Sequence, residues 1–519
     1  METLESYLKG EWTRGQGTGA VLVNPTTEVP LAEASTEGLD LGGAVAFARE
    51  HGGPALRALT FAERGELLRA MSRALHGARD ALIDVAIANG GNTRSDAKFD
   101  IDGAIGTLAY YAELGKELGP QRARVDGEGV QLGRSPRAFG AHVLTPRTGV
   151  AVHVNAFNFP AWGLGEKAAC ALLAGMPIVT KPATSTALLA HHVVKLWIDA
   201  DLLPKGALSL VTGGAGSLLS HLGGDDCLAF TGSADTAATL RALDNVVRHS
   251  VRVNVEADSL NAAVLGPDAA LGSETYNLFL RDVVRDMTQK AGQKCTAIRR
   301  IFVPASVAAE VEADLVDRLR EVVVGDPAQE GVAVGPVATA SQLRSVRAGL
   351  AELQTEATIV LGEGPFERRG VPEGKGYFVA PTLLRSHDAR ASRRVHELEV
   401  FGPAATLLAY DGSAREAIEL VRRGAGGLVC SVYSDDRAFA GEVLFGIASL
   451  HGRVVLASEK IADQLPGPGA VLPQSIHGGP GRAGGGEELG GLRGLAFYSQ
   501  RTAVQGARPM LEALLGLKK

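Results

Sequence analysis

The chain has 519 residues, of which 45% are hydrophobic and 21% charged, and 52 basic against 58 acidic side chains give a net charge of −6. This length exceeds one simple core, so two or three domains are expected, and the composition excludes a disordered chain. A mildly acidic balance without a basic block argues against nucleic acid as a partner.

The opening METLESYLKGEW lacks the charged-then-apolar order of a secretory leader. The longest uncharged apolar stretch, Ala168–Thr180, is interrupted by Gly175 and Pro177 and is too short to span a bilayer, so no membrane partner is expected. Residues 38–120 read as helical, with apolar positions three and four apart in segments such as Ala62–Ile83. From Gly149 the pattern changes to short β-branched runs (GVAVHVN, PIVTKP, ALSLVTG, CLAFTGS, VRVNVEA) separated by Ala- and Leu-rich stretches. Strands alternating with helices predict a parallel sheet with right-handed crossovers, and ligands bind such sheets at the carboxyl ends of strands. Asn155–Asn158, Lys181, Gly213–Gly214, Thr231–Ser233 and Glu256 fall at those ends. A second strand–helix series follows Asn277 and includes IRRIFVP, ATIVLG, FGPAATLLAY, GLVCSVY and IASLHGRVVLAS. The glycine-dense HGGPGRAGGGEELGGLRG precedes FYSQRTAVQG, which reads as a final extended strand of the kind that pairs with another subunit.

Cys170, Cys227, Cys295 and Cys430 are scattered without a CxxC pair, which predicts neither a disulfide framework nor a metal site and fits a reduced, cytoplasmic enzyme. In MTQKAGQKCTAIRR a helix is expected to end at Ala291–Gly292, placing Cys295 on a turn where a thiolate can be exposed and stabilised. A lone cysteine is more often a buried structural residue. Glu256, at the end of an apolar strand 39 residues before Cys295, can be desolvated and act as a base, although an isolated glutamate is usually a solvated loop residue. Asn158, in NAFNFP, carries an untitratable amide suited to a developing oxyanion, or simply serves the turn before Pro160. Lys181 follows a strand and precedes a helix, where a lysine can meet ribose hydroxyls or phosphate. Gly232 and Ser233 open a helix, a place suited to pyrophosphate, although Gly-Ser turns are common and no GxGxxG follows the first strand. In ELEVFGP, Glu399 stands two residues before Phe401.

Together these segments resemble the aldehyde dehydrogenase family over nearly the whole chain. The pattern G-Q-x-C-x-A-x-x-R at Gly292–Arg300 is similar to that family's nucleophile motif. VNAFNFP, KPATSTA, EADSLN, VVVGDPAQEGV and the glycine-dense tail are similar to the ring-cleavage CoA-semialdehyde dehydrogenases of benzoate and phenylacetate breakdown. Phenylacetate members usually continue into a hydratase domain, and the stop at Lys519 points to the stand-alone benzoate type. The resemblance implies an α/β, aldehyde dehydrogenase-like fold. A Rossmann-like dinucleotide-binding domain would cover 1–130 and 150–262, and an α/β catalytic domain 263–475. A small β oligomerisation arm and C-terminal tail would cover 131–149 and 476–519, making a homodimer. It also implies Cys295 as nucleophile, Asn158 as oxyanion holder and Glu256 as hydrolytic base. Lys181, Thr184, Gly232, Ser233, Glu399 and Phe401 would bind NADP, with NAD possible. NADP is preferred because Thr184 stands where many NAD-selective relatives carry a glutamate that repels a 2′-phosphate. The implied substrate is an aldehyde, and more narrowly a CoA-linked one such as 3,4-dehydroadipyl-CoA semialdehyde. Two departures stand out: Asp258–Ser259 replaces the double glycine after Glu256, and Ala237 replaces a glycine after Ser233. Competing readings are a simple aliphatic or aromatic aldehyde as substrate, a catalytically inactive scaffold, and a cysteine hydrolase. The last needs a partner histidine, and none of the 12 fits a known pattern.

Overall fold

The computed structural model describes residues 1–462, 464 and 466–516. The helical region is built from Phe61–Gly77, Arg79–Gly90 and Arg94–Leu118, preceded by shorter helices from Leu41. The apolar periodicity of Ala62–Ile83 crosses a break at Ala78, whose φ of −101° and ψ of 8° end one helix and open the next. Thr60 starts the first of these helices through a reciprocal capping box with Glu63, satisfying donors that the first turn leaves orphaned. Leu68, Met71 and Leu75 share a core with Ile101, Ala104 and Leu108. Each buried leucine, isoleucine or methionine here contributes about 1.5–3 kcal/mol relative to exposure.

The five expected strands form one parallel array: Arg252–Glu256, Cys227–Thr231, Ala151–Val154, Ile178–Lys181 and Leu208–Leu210, in that spatial order. Two N-terminal strands that the sequence reading missed, Ser6–Leu8 and Glu11–Thr13, extend it antiparallel. In chain order Ile178–Lys181 and Leu208–Leu210 step away from Ala151–Val154 in one direction, and Cys227–Thr231 and Arg252–Glu256 return to its other side. The crevice between Ala151–Val154 and Cys227–Thr231 is therefore the point where strand order reverses, the place such sheets bind ligands. Register aligns their carboxyl ends: Thr231 faces Glu256, Phe230 faces Val154 and Val154 faces Lys181.

The second sheet has seven strands, with Ala357–Leu361 antiparallel at one edge and the rest parallel. Two of its strands, Ala262–Leu265 and Thr382–Ser386, were not foreseen. Ala262–Leu265 follows Glu256 after five residues, so the chain passes from the first sheet to the second directly beside that carboxylate. The last strand, Ser499–Ala507, is extended as expected and pairs antiparallel with Ala138–Pro146, which also pairs with Arg124–Gln131. A hairpin of Ile476–Gly479 and Gly486–Leu489 lies away from that three-stranded sheet. It packs on the Arg252–Glu256 and His451–Ala457 strands, so this part of the C-terminal region sits between the two large sheets. Among the described residues no helix is long and apolar enough to cross a membrane.

Candidate active site

The turn that carries Cys295 is built by an abrupt reversal. The preceding helix, Glu274–Thr288, ends three residues before the expected Ala291. Lys290, Ala291 and Gly292 then take φ values of 54°, 52° and 67°, a left-handed run that no helix can contain. At Gly292 a Cβ would stand 2.1 Å from the Gly402 carbonyl oxygen, so the close approach of the two loops requires glycine. Asn261 clamps the turn from the other side: its Nδ2 donates to the carbonyls of Cys295 at 2.8 Å and Ala297 at 2.9 Å. Its Oδ1 accepts from Ser259 Oγ at 2.6 Å and from the Val429 amide at 3.0 Å. Arg299 ties the same segment down by donating to the carbonyls of Gly292 and Gly402, both at 2.8 Å.

Cys295 is half-buried, while Cys170, Cys227 and Cys430 are buried, and all four thiols are free. Two cavities meet at it. One is walled by Phe99, Phe159, Trp162 and Val471 and closed by Glu166, Lys167 and His477. The other runs along the carboxyl edge of the first sheet past Lys181, Gly232, Ser233, Glu399 and Phe401. Both share Asn158, Glu256 and Cys295. The structure thus brings together three residues separated by up to 137 positions in the chain.

Asn158 is buried in the loop after Ala151–Val154, and that loop is held by Thr186 Oγ1 donating to the Phe157 carbonyl at 2.8 Å. Glu256 is 2% exposed. Among the described residues its Oε1 has no hydrogen-bond partner, and its Oε2 lies 3.1 Å from His477 Nε2. Burial acts to raise the Glu256 pKa, but the facing His477 outweighs it and holds the carboxyl well below its usual range. Burial and the neighbouring Glu256 charge together push the Cys295 thiol upward, so its proton is held tightly.

On the long cavity, Lys181 Nζ is buried and donates to the Pro182 carbonyl at 2.9 Å, and desolvation brings it down to about 8. Glu399 Oε2 accepts from the Ser259 amide at 3.0 Å. Among the described residues Glu399 Oε1 has no hydrogen-bond partner, with Arg299 Nε 3.6 Å away, and burial pushes the group up to about 7. Phe401 meets Phe157 edge-on at 5.9 Å. Ser233 caps the helix Ala234–Arg241, its Oγ accepting from the Thr236 amide. Asp258, at one of the two departures noted above, accepts from the Ala234 amide at 3.1 Å and so occupies a donor at that helix start. Thr184 differs from the rest: among the described cavity-lining residues it is absent, and its hydroxyl donates to the Gly213 carbonyl at 2.8 Å.

Sequence reasoning missed the groups behind the thiol. It left Cys295 without a histidine, yet His477 Nε2 stands 3.8 Å from Cys295 Sγ. Lys167 Nζ is buried between Glu166 and Glu488, 3.2 Å from each. Burial opposes the Lys167 charge, but the two carboxylates outweigh it and raise its pKa, while burial lifts Glu166 to about 7. Only the position of Lys167, nine residues after Asn158 on the helix that follows the loop, offered a hint in the sequence.

The aldehyde dehydrogenase family model matches residues 12–504. The chain is 48% identical to 3,4-dehydroadipyl-CoA semialdehyde dehydrogenase of Aromatoleum evansii, over 92% of this chain and 93% of that protein. It is 27% identical to the NADP-dependent succinate-semialdehyde dehydrogenase of Escherichia coli, over 87% and 90% of the two chains. Among solved structures, lactaldehyde dehydrogenase from Escherichia coli superposes with a TM-score of 0.84 at 24% identity, covering 97% of this chain and 99% of that one. Betaine aldehyde dehydrogenase from Staphylococcus aureus in complex with NAD+ gives 0.83 at 23% identity, covering 98% of each. At such identities the structural likeness establishes the fold, and the family match with the closer relative establishes the rest: the chain belongs to the aldehyde dehydrogenase family and is an enzyme that oxidises aldehydes with NAD or NADP.

Proposed function

We propose that this enzyme oxidises a CoA-linked semialdehyde, such as 3,4-dehydroadipyl-CoA semialdehyde, to the carboxylic acid with NADP, using Cys295 as nucleophile. The observation that carries this reading is the junction of two cavities at Asn158, Glu256 and Cys295: an aldehyde entering from the short, aromatic-walled side meets the thiol at the mouth of the long one. The name of the relative from Aromatoleum evansii supports the substrate class. Benzoate or phenylacetate breakdown is the setting that the resemblance of the sequence motifs suggests.

In this reading Cys295 sulfur bonds to the aldehyde carbon, and the oxyanion is held by the Asn158 amide and the Cys295 backbone N–H. The bound nicotinamide cofactor supplies the hydride acceptor. Glu256 then takes a proton from the water that hydrolyses the thioester, and the acid leaves. The long cavity suits a dinucleotide: Lys181 offers a buried amine, Glu399 an oxygen without a hydrogen-bond partner, Phe401 an apolar face, and Gly232 and Ser233 a helix start. Thr184 contributes by lacking a carboxylate that would repel a 2′-phosphate, which favours NADP while leaving NAD possible.

The rest of the molecule fits a cytoplasmic homodimer. The four free thiols suit a reducing compartment. Apolar Val130, Leu132, Met510 and Leu514 stand exposed on and beside the three-stranded sheet, where a second copy would cover them. We assign residues 1–130 and 150–262 to dinucleotide binding, 263–475 to catalysis and 131–149 with 476–519 to the arm and tail; the hairpin Ile476–Leu489 serves the catalytic centre from within that tail.

The test is cofactor reduction with CoA-linked and CoA-free aldehydes, each with NAD and NADP. Highest kcat/KM with a CoA-linked semialdehyde and NADP is expected, C295A should abolish turnover, and E256Q should give a burst of reduced cofactor followed by a stall. Equal rates with free aldehydes would remove the CoA handle, tighter NAD than NADP binding would reverse the cofactor preference, and steady turnover in C295A would end the nucleophile assignment.

A further inference from the structure

We infer that His477 is a catalytic residue of this enzyme: its Nε2 takes the Cys295 thiol proton as sulfur attacks the aldehyde, and Glu256 then holds the resulting imidazolium. The inference rests on the nucleophile assignment above and deepens it.

Cys295 cannot begin the reaction as a thiol, and its surroundings are hostile to spontaneous ionisation. Carboxylates surround it, with Glu256 beside it and Glu166 nearby. Lys290 Nζ lies over the Phe159 ring, 4.4 Å from its centroid, and two further lysines of the neighbourhood are spent elsewhere. Lys294 Nζ donates to Asp286 at 2.6 Å and Gln289 at 2.9 Å, and Lys167 donates to Glu166 and Glu488. Among the described residues, the basic nitrogen recorded within hydrogen-bonding reach of the sulfur is His477 Nε2, at 3.8 Å.

The same nitrogen lies 3.1 Å from Glu256 Oε2. A single ring nitrogen serves these two partners only in turn. With a lone pair it accepts from the thiol; with a proton it donates to the carboxylate. Proton transfer therefore moves the nitrogen from one partner to the other without moving the ring. In the step itself the S–H bond breaks and an N–H bond forms at Nε2. The sulfur electron pair forms the S–C bond, and the carbonyl π pair moves to oxygen beside Asn158. No oxidant or further reactant enters this step.

The placement of His477 is deliberate in the fold. It lies on the Ile476–Gly479 strand directly opposite Glu488, which brings the hairpin's two chemistry-bearing side chains to one face. The groups facing it are Glu256 at the end of a sheet strand, Cys295 on its turn, Glu166 and Lys167 on the helix Trp162–Ala174, and Glu488. Burial opposes the imidazolium, but Glu256, with Glu166 and Glu488, outweighs it and raises His477 above its ordinary 6.5. His477 accepts a proton only when neutral, so thiol reactivity should rise with pH through that raised value.

The experiment is iodoacetamide alkylation of the full-length enzyme across pH, followed by mass at Cys295, whose three companions are buried. In the unaltered protein the rate should rise through a limb below the ordinary thiol value of 9.0. H477Q should move the limb above that value and slow alkylation at neutral pH by about tenfold or more. E256Q removes the group that raises His477, so its limb should shift to lower pH. An unchanged profile in H477Q overturns the inference. So does a limb that E256Q erases or moves to higher pH, because Glu256 would then be the proton acceptor; this second variant decides the matter if H477Q fails to fold. Failure of the nucleophile assignment would show separately, as turnover surviving in C295A.

Discussion

Asn261 is the residue whose loss the structure makes most costly for its size. It is fully buried, and its amide answers two carbonyls, one backbone amide and one hydroxyl. Asn261→Ala strips the two carbonyls and the backbone amide of this partner inside the protein. A buried polar group stripped of its partner costs about 1–3 kcal/mol, and the Ser259 hydroxyl, which also accepts from the Leu428 amide, keeps one bond. Counting the three backbone groups alone gives a loss of about 3 kcal/mol at the low end and far more at the high end. Asn261→Asp should be intermediate in bonding, retaining the acceptor for Ser259 and Val429, but it sets an anionic oxygen against the Cys295 and Ala297 carbonyls. The assay is urea denaturation followed by fluorescence, paired with alkylation of Cys295 in the folded protein. Both variants should unfold at lower urea, and the thiol of any folded N261A should alkylate with altered rate, because the clamp on its carbonyl is gone. A stability loss in N261A below about 1 kcal/mol would refute the reasoning, since it would mean that water or local rearrangement satisfies the abandoned groups.

Gly292→Ala places a Cβ in a left-handed conformation and 2.1 Å from the Gly402 carbonyl oxygen, a backbone atom that cannot swing aside. About 1–2 kcal/mol of backbone strain plus 1–3 kcal/mol of overpacking is expected, with loss of turnover; a wild-type denaturation midpoint and normal activity would contradict it. The Glu256–His477 pair should stabilise the fold only where both partners are charged in the folded state. Glu256, held low, contributes above its unfolded value of 4.5 and loses that contribution as pH falls through about 2. His477, held high, contributes below 6.5 and loses it as pH rises through its folded value. A double-mutant cycle by denaturation should therefore show its largest coupling between pH 4.5 and 6.5 and little in alkali; coupling that grows with pH would reverse the assignment. Burial brings Lys181 down to about 8, so in the free enzyme its charge fades as pH rises through that value. Binding of NADP should weaken across that range, and in Lys181→Met it should be weaker and indifferent to pH, as read by fluorescence titration; an identical pH response in the variant would remove Lys181 from the cofactor site.

Alternating β-branched runs and helical periods determined the parallel sheet, because the hydrophobic pattern of a strand buried on both faces is local information. The residues at the ends of those runs were legible for the same reason: Asn158, Lys181, Ser233 and Glu256 mark where each strand stops. Cys295 was legible from its short surrounding pattern. Tertiary structure decided what periodicity does not encode. The antiparallel strands Ser6–Leu8 and Glu11–Thr13 are three residues each, too short to show a period. The left-handed run at Lys290–Gly292 brings Gly292 against Gly402, a contact made 110 residues away. His477 lies 182 residues from the thiol it faces, on a glycine-dense hairpin that reads as tail. Its partners exist only once two sheets and that hairpin have closed on one another, for a side chain's charge and reach are written in the sequence, whereas the neighbours that set its proton affinity are assembled by packing.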